Sequence, residues 1–368
     1  MSRLVVAGGG TGGHVFPGVA VAEEFLGRDR EAKVLFIGTG RPVEVEVLSK
    51  RDLKSRRIMA MGFKGQGWYG RLKALAAVPV GIGQSLGIYW SFKPDLALGV
   101  GGYVSGPALA AARIMGLPTA IHEQNSIPGM TNKNLARLVD LIFISFESSR
   151  KYFPQAKTHL TGNPIRREIT QAAYPRPGDK NGPTTVLVVG GSQGAHAVNM
   201  TMLEALRLRQ GKMAGLSVMH QTGTNDFEMI RDAYAKLELE ARAFPFIDDM
   251  AAAYQTADLV VCRAGALTVA EVAVTGRPAV FVPLPTAADN HQELNARSLV
   301  EAGAAEMILQ KDLTPELLAD TILRLAGDKA RLNEMSQAAR KAALPDAAAR
   351  ICDLLAAHLE KKMGRRSG

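Results

Sequence analysis

The chain has 368 residues, which is more than one ordinary domain and suits two. Its hydrophobic fraction of 47% argues against disorder, and its two cysteines, Cys262 and Cys352, are too few for a disulfide framework and fit a reducing compartment. The formal net charge is +9, and the whole excess lies in residues 1–165, which hold 20 basic and 11 acidic side chains against 24 of each in residues 166–368.

The basic excess is densest in residues 50–73, where eight basic side chains accompany one acid, Asp52. Such a cluster favours an anionic partner, and both nucleic acid and an anionic membrane fit the charge. No stretch reaches the ~18–20 uninterrupted apolar residues of a membrane span, and the N-terminus has no signal-peptide core. We therefore expect a cytoplasmic protein. An aromatic content of 6% disfavours base stacking, and so disfavours nucleic acid.

Short β-branched runs alternate with helical stretches along the whole chain. This pattern predicts βαβ units, and hence an α/β fold with parallel sheets covered by helices on both faces. Strands are predicted at residues 4–7, 34–38, 96–100, 119–122 and 141–145, and again at 185–189, 217–221, 259–262 and 279–283. We place the domain boundary near the Asn163-Pro164 turn that follows strand-like residues 158–161, giving domains 1–163 and 164–343.

Three glycine-rich loops follow predicted strands: loop 1 (residues 8–13), loop 2 (99–107) and loop 3 (190–194). Glycines let a backbone approach a phosphate, and the N-terminus of the next helix offers free N–H groups. Tight turns of a doubly wound sheet explain one such loop well and three poorly. Simple NAD binding is disfavoured because no acid ends the second strand, and Mg-NTP hydrolysis because no loop ends in Gly-Lys-Ser/Thr.

Several polar residues follow these strands. His14 begins the helix after loop 1, where it suits a general base or, alternatively, a helix cap. Glu271, one turn into a later helix, suits a ribose diol or, alternatively, the helix dipole. The run from His122 through Glu123 and Gln124 to Asn125 favours an active-site lining. No Asp-x-Asp pair and no zinc spacing occurs, so we expect neither a metal nor a cofactor.

Taken together, the motifs resemble the MurG family, the UDP-N-acetylglucosamine:lipid I N-acetylglucosaminyltransferases of peptidoglycan synthesis. In order along nearly the whole chain, they are AGGGTGGHVFPG, GVGGYVSGP, IHEQNSIPG, TGNPIRRE, VVGGSQGAHAVN, FIDDMAAAYQTADLVVCRAGALTVAE and DNHQELNA. The resemblance implies a GT-B fold of two Rossmann-like domains around a cleft. It also implies an N-terminal acceptor and membrane domain, rejoined by the last helix (about 344–368), and a C-terminal UDP-GlcNAc domain.

The resemblance implies an inverting, metal-independent transfer of GlcNAc from UDP-GlcNAc to the C4 hydroxyl of MurNAc in lipid I, which gives lipid II. The implied donor contacts are Thr11, Gly12, Gly13 and Asn125 from the first domain, and Arg166, Ser192, Ile247, Ala266, Leu267, Thr268, Val269, Ala270, Glu271 and Gln292 in the second. Here Ile247 contacts uracil through its backbone and Glu271 binds the ribose. The implied contacts of the acceptor diphosphate are Gly10, Gly13, Gly102, Tyr103 and Ser105.

His14 is our candidate base, with Glu123 as the alternative. The family often shows a Gln-Gln pair where this chain has His291 and Gln292, so we expect sugar recognition at Gln292. Since lipid I is membrane-bound, we expect peripheral attachment to the cytoplasmic face of the bacterial inner membrane. Anionic inner-leaflet phospholipid and other cell-wall and division proteins would be further partners. The processes served would be cell-wall biogenesis, cell shape and cell division.

The membrane-facing segment is expected within residues 72–90, where apolar residues alternate with small ones beside a basic rim. An ordinary buried helix is the alternative for this segment. Two other functions remain open for the chain: a UDP-GlcNAc 2-epimerase-like isomerase on the same fold, and a non-catalytic binder of anionic lipid.

Overall fold

The computed structural model describes residues 2–10, 12–62, 67–172, 174–175, 177, 182–191, 193–213, 215–237, 239–287 and 290–364, with only the backbone of residues 43, 71 and 363. The chain forms two compact units, one of Met1–Arg166 with Pro345–Gly368 and the other of Arg167–Leu344. The first division therefore falls three residues after the predicted boundary at residue 163, so Arg166, expected in the second domain, belongs to the first unit.

The first unit is a seven-stranded parallel sheet in the order β3-β2-β1-β4-β5-β6-β7. Its strands are β1 (Arg3–Ala7), β2 (Lys33–Gly38), β3 (Ser55–Arg57), β4 (Leu96–Gly99), β5 (Thr119–Glu123), β6 (Leu141–Ile144) and β7 (Thr158–Leu160). Its helices are α1 (Gly12–Arg28), α2 (Pro42–Ser49), α3 (Trp68–Phe92), α4 (Ser105–Ile114) and α5 (Met130–Leu135), with α15 (Ala347–Gly364) from the end of the chain.

The second unit is a six-stranded parallel sheet in the order β10-β9-β8-β11-β12-β13. Its strands are β8 (Thr184–Val189), β9 (Leu216–Gln221), β10 (Glu240–Phe244), β11 (Leu259–Cys262), β12 (Ala279–Phe281) and β13 (Ala305–Met307). Its helices are α6 (Arg167–Gln171), α7 (His196–Leu208), α8 (Gln210–Met213), α9 (Thr224–Tyr234), α10 (Met250–Thr256), α11 (Ala266–Thr275), α12 (His291–Glu301), α13 (Pro315–Ala326) and α14 (Lys329–Ala342). The predicted α/β class with two parallel sheets is confirmed.

Both sheets reverse their strand order next to the first strand of the unit, between β1 and β4 and between β8 and β11. Ligands of doubly wound sheets bind at such a reversal, outside the carboxyl ends of the strands. Loops 1 and 2 follow β1 and β4, and loop 3 follows β8, so each glycine loop leaves its sheet at a reversal point.

Helix α15 packs against the first sheet in one apolar cluster with α1. Ile351, Cys352 and Leu355 are buried there beside Leu4 and Val15. The Cys352 thiol faces the Val21 carbonyl at 3.7 Å, and burial raises its pKa to about 12. This thiol is therefore a packing group rather than a reactive one.

Helix α3 is the one described helix that is long and apolar enough to cross a membrane, by length and composition alone, and 28% of its most apolar 18-residue stretch is buried. One face packs inward: Tyr89 is fully buried and donates to the Ala108 carbonyl at 2.9 Å. The opposite face exposes large side chains, namely Trp68, Tyr69, Leu72, Leu75, Val80 and Trp90. The two faces of α3 therefore differ in burial, and the exposed face is itself apolar.

Candidate active site

Loops 1 and 2 interlock at the carboxyl edge of the first sheet. A side chain on Gly8 would overlap Val100, and one on Gly102 would lie 2.5 Å from the Gly9 carbonyl oxygen. Gly102 also has φ +78°, which favours glycine. Gly102 thus allows the two backbones to touch and Gly8 makes room for the Val100 side chain, whatever the loops bind.

Glu44, at the start of α2, stabilises loop 1 from beneath. Its carboxylate is 3% exposed and accepts hydrogen bonds from the backbone N–H of Gly10 at 2.5 Å and from those of Thr39 and Gly40, both at 2.9 Å. The Thr39 hydroxyl adds a fourth at 2.7 Å. Because the Gly10 N–H already donates to Glu44, this N–H is not available to a diphosphate in this arrangement. Sequence reasoning gave Glu44 no such role, since its partners lie in two separate loops.

The acceptor residues expected in loop 2 differ in accessibility. Tyr103 is 48% exposed, whereas Ser105 is fully buried. The Ser105 hydroxyl lies 2.8 Å from the carbonyl oxygens of Ala7 and Gly101 and joins β1 to loop 2. The Ser105 hydroxyl thus stabilises the loop, and the predicted contact of Ser105 with a diphosphate, which stays a prediction, would use its backbone N–H at the start of α4.

His14 is the third residue of α1 and lies half-buried against both loops. Its Nδ1 lies 3.2 Å from the side-chain oxygen of Gln124. A side chain on Gly101 would come within 2.6 Å of that Nδ1, so Gly101 makes room for the ring. Burial lowers the pKa of His14 below its usual 6.5, against the opposing effect of hydrogen bonds to Gln124 and Val100. A neutral imidazole at physiological pH is the form that a general base requires.

Glu123, the alternative base, is committed to its own loop. It is 2% exposed and accepts from the backbone N–H groups of Asn125 at 3.0 Å and Gly129 at 3.2 Å, and from the Asn132 amide at 2.8 Å. Burial raises its pKa, although these hydrogen bonds oppose the shift. The same carboxylate holds the Asn125 side chain at 3.4 Å, so Glu123 orients the predicted donor contact Asn125.

Three other predicted donor residues of the first unit lie in α1 or beside it. Gly12 and Gly13 are its first two residues, whose N–H groups have no partner within the helix. The Arg166 guanidinium lies 5.6 Å from the centre of the Phe16 ring, over α1. Predicted residues Thr11 and Ser192 lie outside the described residues.

In the second unit, the donor residues predicted after β11 lie in α11, which one short turn joins to that strand. Gly265 precedes α11 without a side-chain cap, so the N–H groups of Ala266, Leu267 and Thr268 remain for a ligand. Val269 is buried and Ala270 half-buried. Glu271 is 8% exposed and accepts from the Tyr254 hydroxyl at 3.1 Å.

Gln292 and Ile247 are held in place by hydrogen bonds within this unit. The Gln292 oxygen accepts from the N–H groups of Leu284 at 3.0 Å and Ala264 at 3.3 Å. The Ile247 N–H donates to Gln221 at 2.9 Å, so a contact of its backbone with uracil would use the carbonyl oxygen.

Arg263 was missed by sequence reasoning. Its guanidinium stabilises the turn between β11 and α11 by donating to the Val282 carbonyl at 3.0 Å and to the Gln310 side chain at 2.7 Å.

No group of three or more His, Cys, Asp or Glu side chains suited to a metal ion occurs within the described ranges. Independence from metals stays a prediction.

Two family models cover most of the chain: the glycosyltransferase family 28 N-terminal domain matches residues 4–144 and the C-terminal domain matches residues 185–351. A Geobacter sulfurreducens protein is 49% identical over 98% of this chain and 100% of its own, and a Myxococcus xanthus protein 46% identical over 96% and 92%. Both are named UDP-N-acetylglucosamine–N-acetylmuramyl-(pentapeptide) pyrophosphoryl-undecaprenol N-acetylglucosamine transferase. The chain belongs to the MurG family of glycosyltransferases.

The solved structures agree with this family. The crystal structure of Acinetobacter baumannii MurG is 35% identical and matches with a TM-score of 0.77 over 96% of this chain and 99% of its own. The GT-B fold predicted from the motifs is thereby confirmed. A UDP-GlcNAc 2-epimerase from Neisseria meningitidis also matches, with a TM-score of 0.67 over 96% and 99% of the two chains, but at 16% identity it shows only the shared fold.

We predict that Glu44→Gln lowers the free energy of unfolding by about 1–3 kcal/mol, because one amide oxygen cannot replace two carboxylate oxygens for four donors. Denaturant unfolding of both proteins measures the difference. Glu46→Gln is the matched control on the same helix, since Glu46 is exposed and pairs with Lys50, and we expect a change within about 0.5 kcal/mol there. Equal changes in the two variants would contradict the role of Glu44.

Proposed function

We propose that this protein transfers N-acetylglucosamine from UDP-GlcNAc to the C4 hydroxyl of the MurNAc unit of lipid I, giving lipid II and UDP for peptidoglycan synthesis. Near full-length relatedness to proteins named for this transfer supports the substrates. The observation that carries the chemistry is the placement of His14, a half-buried imidazole kept neutral at the start of α1, beside two glycine loops.

In the proposed reaction, the acceptor hydroxyl oxygen attacks the anomeric carbon of GlcNAc while His14 takes the hydroxyl proton. The bond from that carbon to the UDP oxygen breaks, and the anomeric configuration inverts. The first-turn N–H groups of α11 suit the negative charge that develops on the departing phosphate. Glu271 accepts a hydrogen bond from the Tyr254 hydroxyl, and a carboxylate is an acceptor of the kind that suits ribose hydroxyls.

His14 is favoured over Glu123 as the base because of their different surroundings. Glu123 accepts hydrogen bonds from Asn125, Gly129 and Asn132, which hold its loop, and taking a proton would weaken those bonds. The neutral ring of His14 keeps one unprotonated nitrogen that can take a proton, while its Nδ1 lies 3.2 Å from the Gln124 side-chain oxygen.

We further propose that the exposed face of α3 docks on the cytoplasmic face of the bacterial inner membrane, with anionic phospholipid as partner. The exposed residues Trp68, Leu72, Leu75 and Trp90 recur at helical spacing. Large apolar side chains on one face of a helix suit insertion into a membrane–water interface. The Lys73 ammonium lies 4.7 Å from the centre of the Tyr69 ring beside this face. Cell-wall and division proteins remain further proposed partners.

The activity is tested by incubating the protein with UDP-GlcNAc and a soluble lipid I analogue in the presence of EDTA. We expect the disaccharide product and UDP, with no loss of rate on chelation. Absence of product from folded protein would contradict the transferase proposal, and conversion of UDP-GlcNAc to its 2-epimer without acceptor would favour the isomerase instead.

His14→Ala is expected to lower kcat by about 10²–10⁴, the usual scale for removal of a general base. Because burial lowers the pKa of His14, the wild-type rate should fall on the acidic side only below pH 6.5, as the base becomes protonated. Steady-state rates across pH measure both effects. A near-normal rate in the variant would assign proton removal to another group.

Membrane docking is tested by flotation with vesicles containing phosphatidylglycerol. The double variant Leu72→Glu, Leu75→Glu should bind at least about tenfold more weakly, since each fully buried leucine contributes about 1.5–3 kcal/mol. The control carries Leu208→Glu and Leu317→Glu, two comparably exposed leucines of the second unit. Equal binding by the two double variants would contradict the assignment of α3.

A further inference from the structure

We propose that Gln124 fixes the tautomer of His14, holding the ring hydrogen on Nδ1 so that Nε2 carries the lone pair. Gln124 is thus a positioning residue that acts through His14. The catalytic consequence rests on the proposed function, whereas the tautomer itself does not.

The orientation of the Gln124 amide is set by the two backbone carbonyls around it. Its nitrogen lies 3.0 Å from the Val100 oxygen and 3.2 Å from the His122 oxygen. Carbonyl oxygens only accept hydrogen bonds, so the group facing them must be the NH2. The opposite orientation would set the amide oxygen against two other oxygens.

The amide oxygen of Gln124 therefore faces His14. It lies 3.2 Å from Nδ1 and can only accept, so Nδ1 must donate and must carry the hydrogen. A neutral imidazole has one hydrogen on its two nitrogens, which leaves Nε2 unprotonated. Burial keeps the ring neutral by lowering the pKa of His14.

A second histidine holds Gln124 in this orientation. His122 is fully buried, and its Nδ1 accepts from the Gln124 nitrogen at 2.9 Å. Its Nε2 then carries the hydrogen and donates to the Gly162 carbonyl at 3.0 Å. Burial lowers the pKa of His122 to about 4, so it stays neutral and able to accept at physiological pH.

The chain of hydrogen bonds thus runs from His14 through Gln124 and His122 to the backbone of Gly162, and each member has one consistent direction. The ring of His14 is also confined, because Gly101 packs against its Nδ1 and Cε1 atoms. Orienting a catalytic histidine through its second nitrogen is how a general base is kept in its reactive tautomer. Here a neutral amide supplies that contact, so its hydrogen bond raises the pKa of His14 without the added attraction of a charged carboxylate, and burial still lowers the pKa below its usual value.

The test is nitrogen NMR of the full-length protein labelled with ¹⁵N-histidine, recorded at pH 8 without substrate. The chain has 7 histidines, and the His14 signals are assigned by their loss in His14→Gln. We expect a protonated Nδ1 and an unprotonated Nε2. A protonated Nε2 in the wild-type protein would overturn the inference, and this result needs no variant of Gln124 to fold.

Gln124→Met removes the acceptor at similar volume. We expect a mixture of His14 tautomers and a kcat reduced about 10- to 100-fold, less than the ~10⁴ lost when a triad is forced into the wrong tautomer, because methionine permits both forms. The KM for UDP-GlcNAc should stay within about twofold. If the folded Gln124→Met variant kept the wild-type His14 tautomer and the wild-type kcat, the positioning role of Gln124 would be overturned.

Gln221→Met is the matched control in the second unit. Gln221 is also a buried strand-end glutamine that bridges backbone groups, to the Gly191 oxygen at 3.0 Å and the Ile247 N–H at 2.9 Å. We expect a raised KM for UDP-GlcNAc and an unchanged His14 spectrum. A changed tautomer in Gln124→Met with unaltered kcat would support the inference while removing His14 as the base, which separates this inference from the proposed function.

Discussion

Close contact between the backbones of loops 1 and 2 is the constraint on which the rest of the first unit's site depends. Gly8 and Gly102 allow this contact, because any side chain at either position would enter the other loop. The two loops follow neighbouring strands at the point where the strand order reverses. With the loops locked together and Glu44 beneath them, α1 begins at a fixed place and carries His14 against Gly101.

Most polar residues near these loops hold the loops in place. Ser105, Glu123 and Gln124 are buried and use their polar atoms on backbone or neighbouring amide groups. These contacts surround the half-buried imidazole of His14, the proposed base. Preorganisation of this kind suits a transfer in which the protein orients its substrates. The second unit follows the same rule, since Gln292 and Arg263 brace the turn before α11.

The charge asymmetry has more than one physical origin. Lys50 and Arg51 pair with Glu46 and Glu23, so part of the basic cluster is neutralised within the protein. Strand β3 (Ser55–Arg57) is fully exposed at the sheet edge, where basic side chains discourage pairing with another chain. Lys73 of the same cluster lies on α3, beside the face proposed to dock on the membrane.

The sequence by itself determined the α/β class and most of the central strands, because buried parallel strands read as short β-branched runs followed by glycines. It did not reveal the edge strands β3, β10 and β13. Strand β3 is exposed throughout, β10 has no buried residue and β13 is three residues long with one buried residue, so none of them shows that apolar signal. It also made His14 a candidate base, with Glu123 as the alternative, since a histidine after a glycine loop and strand suits that role.

Only the tertiary structure decided what the marked residues do. Glycine and polar side chains appear in the sequence for close packing and for ligand binding alike, and the contacts alone separate the two uses. Glu44 and Gly10 are 34 residues apart, and His14 and Gln124 are 110 apart, so no local pattern could join them. In the proposed tautomer, the hydrogen on His14 Nδ1 is held by Gln124, a partner that only folding brings within reach.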